Sequence, residues 1–114
     1  MKLSIFLLFL TVFVTGCVDN NTLTQEKNNQ LKKFAYANCL MWYFESKGYE
    51  TKDIRNISGG IVETSNISLD TFQEVALIVK EYQPTIESKH NIDINLLKCF
   101  HLESYGKLNK VLEN

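Results

Sequence analysis

The side chains best suited to covalent or metal chemistry in this 114-residue chain are Cys17, Cys39, Cys99, His90 and His101. Cys99 and His101 stand two positions apart, so on a helix they point to nearly opposite sides and form no local nucleophile and base pair. A dyad drawn from distant segments would use cysteines that a disulfide explains more simply. His90 and His101 could bind a metal with a carboxylate, but they lack the spacing of a ligand set. Glu63, Asp70 and Glu74 are scattered acids of the kind that solvate a helix face. Nothing in these residues demands an enzyme, a cofactor or a metal.

Cys17 sits in a distinctive setting. Met1 and Lys2 precede an apolar run from Leu3 to Val14, broken by Ser4 and Thr11, which has the charge-then-apolar layout of a secretory signal. As a helix the run would rise only about 18 Å, against a hydrocarbon core roughly 30 Å thick. It ends in Val14-Thr15-Gly16-Cys17, which resembles a bacterial lipobox, whose cysteine becomes the lipidated N-terminus. Ordinary signal-peptidase cleavage after Gly16 is the alternative, since small residues suit that enzyme too. Val18 rather than Asp after the cysteine points to outer-membrane sorting, with the inner membrane as the other destination.

Cysteine arithmetic favours lipidation. An odd thiol in an oxidising compartment pairs between chains or has another job. Lipidation uses Cys17 and leaves Cys39 and Cys99 as an even pair. Closing their loop would stabilise the fold by roughly 4 kcal/mol in the chain-entropy model. Two buried free thiols are the alternative.

The mature chain suffices for one core and is too short for two. Twelve basic residues against thirteen acidic ones, with Lys32-Lys33 the only adjacent basic pair, offer no face to nucleic acid. Residues 1–16 read as a signal, 17–30 as a lipidated flexible tether rich in Asn, Thr and Gln, and 31–114 as the folded domain. From Leu31 the apolar spacing is helical, and Phe34, Ala35, Cys39 and Trp42 share one side while Leu40, Met41, Tyr43 and Phe44 fill much of the other. Such a helix is central in a bundle or covered by a partner.

Gly48 ends that helix, and Thr51 or Asp53 caps a second, carrying Ile54, Ile57 and Ile61. Gly59-Gly60 signals close backbone approach or an early helix end. Ser68 caps a third helix, with Ile67 and Phe72 placed as a hydrophobic staple, which Pro84 stops. Asp93 caps a fourth, and Ser104 restarts a short fifth. No alternating run long enough for a strand competes. The expected fold is all-α, a compact bundle of about five helices with one disulfide.

Three segments carry a resemblance: Leu31-Lys32-Lys33-Phe34-Ala35-Tyr36-Ala37-Asn38-Cys39-Leu40, then Gly59-Gly60-Ile61-Val62-Glu63, then Leu97-Lys98-Cys99-Phe100-His101-Leu102. In their order and spacing they resemble the periplasmic immunity proteins that neutralise type VI secretion amidase effectors of the fourth family. The resemblance implies an all-helical, often dimeric inhibitor that blocks a peptidoglycan amidase and performs no chemistry itself. Affinity would rest on a few anchors. The candidates are Gly60, Ile61, Val62, Glu63 and Asn66, with Asp70 and Glu74 at the start of the next helix. For Ile61 the competing role is core packing, and for the three acids it is plain solvation. A different class remains open at this level: a small envelope lipoprotein serving as a structural adaptor.

The anchoring step is directly testable. Cys17→Ser should shift the protein into the soluble fraction of the envelope or leave an uncleaved precursor. Fractionation that finds the wild type already soluble, with a free thiol at Cys17, rejects lipidation.

Overall fold

A computed structural model describes Gly16 and residues 20–113; the signal segment and Cys17 lie outside the described residues. The chain forms five α-helices: α1 (Asn20–Lys47), α2 (Lys52–Thr64), α3 (Leu69–Glu81), α4 (Ile94–Phe100) and α5 (Gly106–Glu113), with a 3₁₀ turn at Leu102–Ser104 before α5. Among the described residues there is no strand. None of their helices is long and apolar enough to cross a membrane.

α1 is the axis on which the others pack. Leu31, Phe34, Ala35 and Cys39 on one side of it are buried, while Leu40 to Phe44 are half-buried. Its side chains meet α2, α3, α4 and α5, so the fold itself covers a helix that is apolar nearly all round. It stops at Gly48, whose φ of +71° is in the left-handed region that glycine enters without a steric penalty. There the Tyr49 amide donates to the Phe44 carbonyl at 2.9 Å and the Gly48 amide to the Glu45 carbonyl at 3.1 Å, which is the Schellman pattern.

The helix starts at Asn20, well before the apolar pattern begins at Leu31. Asn and Thr are indifferent helix formers, and composition alone suggests a coil there. Once the nucleation cost is met by the packed turns from Leu31 onward, each further residue adds a backbone hydrogen bond at little cost, and the helix propagates back.

α3 places Phe72, Val75 and Val79 against α1, with the Phe34 and Phe72 rings edge to face at 4.8 Å. Each such side chain contributes about 1.5–3 kcal/mol by leaving water. Ser68 caps α3 as its sequence position implies, Oγ accepting from the Thr71 amide at 3.3 Å. Ile67 packs against the same core as Phe72. The Asp93 carboxylate caps α4 by accepting from the Asn95 amide at 2.9 Å. Leu108, Val111 and Leu112 of α5 complete the core.

Three local expectations are corrected. Thr51 is the N-cap residue of α2 but makes no capping bond, because its hydroxyl instead accepts from Arg55 Nε at 3.0 Å. Ile57 is exposed; the inward stripe of α2 is Ile54, Ser58, Ile61 and Val62, all half-buried. Gly59 and Gly60 neither end the helix nor admit a close neighbour: α2 continues to Thr64, and a Cβ built on either glycine meets nothing within 4 Å. Between α1 and α2 lies a polar clasp, where buried Asn38 donates from Nδ2 to Ser58 Oγ at 3.3 Å and to the Phe34 carbonyl at 3.0 Å.

Cys39 and Cys99 form a disulfide, with an S–S distance of 2.06 Å, that ties α1 to α4. Mass spectrometry should find this one intramolecular bridge, and replacing both cysteines with Ala should destabilise the protein by about 2–5 kcal/mol. Two readily alkylated thiols in the native protein would contradict it. The glycines give the opposite sign. Gly59→Ala and Gly60→Ala should each raise stability by roughly 0.5–1 kcal/mol in denaturant unfolding, since alanine fits both sites and restricts the unfolded chain.

Candidate functional surface

The expected contact residues gather on one corner of the chain, formed by the last turn of α2, the connecting loop and the first turns of α3. Side chains clamp this corner to its own backbone. Thr64 Oγ1 donates to the Gly60 carbonyl at 2.8 Å, Ser65 Oγ to the Val62 carbonyl at 3.2 Å, and the Ile67 amide to Ser65 Oγ at 3.4 Å. The Ser68 and Thr71 hydroxyls are 2.9 Å apart. A loop held in this way loses little entropy on meeting a partner.

The seven residues divide by burial. Ile61 and Val62 are half-buried and packed against the core, and Gly60 is half-buried on the same helix. Glu63, Asn66, Asp70 and Glu74 are exposed. Asp70 and Glu74 are four apart on α3 and so lie on one helical face. None of the three carboxylates belongs to an ion pair among the described residues, where the pairs are Lys47 with Asp93 and Arg55 with Glu45. Glu63 also stands in the last turn of α2, where the helix dipole disfavours a negative charge. The corner is an acidic surface with no neutralising ion-pair partner among the described residues.

Beside the corner runs a groove of about 580 Å³, walled by Leu23, Glu26, Lys27 and Gln30 of α1 and by the Thr64–Ser68 loop, with Asn66 in its lining. Reading the sequence missed it because one wall belongs to the polar start of α1. The spacing of Leu23, Glu26, Lys27 and Gln30 does place them on one helical face, yet polar residues leave no hydrophobic period to reveal it.

A second groove, apolar and about 180 Å³, lies between α1, α4 and α5, lined by Lys32, Ala35, Tyr36, Cys99, Phe100 and Leu112 among others. The Tyr36 and Phe100 rings meet edge to face at 5.6 Å, and Phe100 remains 62 % exposed. At the other end of α4, Lys47 Nζ lies 2.7 Å from Asp93 Oδ2. The hydrogen bond from Lys47 holds the Asp93 carboxyl below its ordinary range, and the same bond raises the ammonium of Lys47. Burial raises the Tyr82 phenol, whose hydroxyl donates to the His101 carbonyl at 3.1 Å.

The chemical candidates stay apart. His90 and His101 are exposed, and among the described residues no cluster of three metal-ligating side chains forms. Cys39 and Cys99 are joined to each other, so neither sulfur is a nucleophilic thiolate in this state.

Residues 29–112 match the family model Tai4, described as type VI secretion system (T6SS), amidase immunity protein. The match covers all three segments on which the sequence resemblance rests. Neither a curated protein nor a solved structure matches the chain significantly.

Proposed function

Because this chain belongs to the type VI secretion system amidase immunity family, we propose that it binds a cognate peptidoglycan amidase effector in the periplasm and occludes its active site. The observation that carries this reading is the clamped acidic corner. Glu63, Asp70 and Glu74 are exposed and unpaired among the described residues, and a partner bringing a basic group or a cationic histidine would supply the missing charge. Gly60 and Asn66 add a surface with little side-chain bulk, and the groove beside Asn66 offers room for an inserted segment. Ile61 and Val62 support that surface from the core side. Protection then comes from excluding substrate, with no reaction on the chain itself.

Two further features belong to the same reading. Cys17 carries lipid, and the polar start of α1 from Asn20 links that anchor to the folded body. The chain also pairs with a second copy. Supporting a two-fold contact, the face around the smaller groove carries a projecting Phe100, a hollow beside it, and Lys32 and Glu103 of opposite sign, neither in an ion pair among the described residues.

A titration of the cognate amidase tests the surface. Glu63→Lys, Asp70→Lys and Glu74→Lys should weaken binding by roughly 2 kcal/mol or more where the carboxylate is desolvated in the complex, and by much less at a rim position. Unaltered affinity in all three rejects the corner as the contact. Failure of the wild type to bind any amidase of the matching effector family, or to prevent peptidoglycan stem cleavage at near-equimolar protein, rejects the function.

A further inference from the structure

The segment between Tyr82 and Leu102 is attached to the fold differently from the rest. α4 has seven residues, well below the roughly 12–15 at which an isolated helix becomes even marginal in water. Its only buried residue is Cys99, and Ile94 and Phe100 at its two ends are exposed. The stretch leading to it, residues 83–93, forms no helix or strand. Tyr82 fixes the near end, its ring 4.3 Å from that of Tyr105. The Asp93 and Lys47 pair fixes the far end, in water at the surface, where such pairs contribute little.

The chain on either side packs on the core through side chains of its own. Leu102, Leu108, Val111 and Leu112 are buried in one cluster with Leu31, Phe34, Phe72, Val75 and Val79. α5 also packs directly on α3 and α1. Beyond the half-buried Leu96 and Leu97 and the edge-to-face contact of Phe100 with Tyr36, what pins α4 to the interior is the sulfur of Cys99, bonded to that of Cys39 on α1.

We propose that the Cys39–Cys99 bond is an oxidation-operated latch: α4 and residues 83–93 dock on α1 when it closes and undock when both sulfurs are thiols, while α1, α2, α3 and α5 stay folded. In closing, the two thiols give up two protons and two electrons to a disulfide-bearing oxidant, which leaves as a dithiol. The apolar groove is completed by the same event, since Cys99 and Phe100 form one of its walls. In a reducing cytoplasm thiols persist, and an oxidising envelope compartment removes them. The precursor thus lacks a finished surface on this side, and the exported chain acquires it. Both cysteines are nearly sealed from solvent, at 1 % and 2 % exposure, so a closed latch opens only through local unfolding. The inference does not depend on the immunity reading, because it concerns the chain alone.

Hydrogen–deuterium exchange of the full-length protein tests it, comparing the oxidised form, the reduced wild type and the Cys39→Ser, Cys99→Ser double variant. Serine brings hydroxyls into an apolar interior, so the reduced wild type, whose thiols keep the native shape, guards against a variant that fails to fold. Without the bond, exchange at residues 94–101 should accelerate about tenfold or more beyond that from Phe72 to Val79, whose amides speed up only with the loss of overall stability. Equal acceleration in both segments would make the bond a staple of the entire fold and overturn the latch. Unchanged rates in both would show that α4 docks without the bond, and would overturn the latch equally.

Discussion

A helix with apolar side chains over most of its circumference cannot stand uncovered in water, and α1 imposes that requirement on every other element. α3 and α5 close over Leu31, Phe34 and Ala35, α2 lies along another side through Ile54, Ile61 and Val62, and α4 is bonded over Cys39. The hydrophobic term is non-directional, so it brings these helices together without fixing their register. Directional contacts do that. The Asn38 clasp to Ser58 sets α2, the edge-to-face meeting of Phe34 and Phe72 sets α3, and the disulfide sets α4.

Function in such a molecule must come from what the packing leaves outside. The α2–α3 corner is well placed for that role. Its backbone is fixed by local hydrogen bonds from Thr64, Ser65 and Ser68, its inner residues Ile61 and Val62 are engaged by the core, and its outer residues carry negative charge with no ion-pair partner among the described residues. Gly59 and Gly60 belong to this description. They weaken α2, and nothing among the described residues makes use of the space they leave. The chain's membership in an amidase immunity family implies an amidase effector as its partner.

Much of this was legible in the residues. Ser68, Asp93, Gly48 and Pro84 mark helix ends through chemistry that acts within a few positions, and tertiary structure had no reason to override it. The pairing of Cys39 with Cys99 followed from counting thiols on the expectation that Cys17 is reserved for lipid. What stayed hidden depends on contacts between segments. The start of α1 at Asn20 reflects propagation from a packed nucleus, which polar residues do not announce. The outward turn of Ile57 was decided by how α2 rolls on α1, and the absence of a capping bond at Thr51 by the competing bond from Arg55. The groove beside Asn66 needed both the early helix start and the loop across from it, so no single stretch of sequence could reveal it.

The bridge also has a history that the finished fold conceals. It joins residues sixty positions apart, whereas Cys17 precedes Cys39 by only twenty-two. In an unfolded chain the shorter loop is easier to close by roughly 1 kcal/mol. A chain threaded N-terminus first would also bring Cys39 within reach of Cys17 before Cys99 had emerged. Loop statistics and order of arrival therefore both favour the wrong partner. A sulfur at position 17 already carrying lipid has no thiol to offer, so acylation would act as a protecting group as well as an anchor, leaving Cys39 to wait for Cys99.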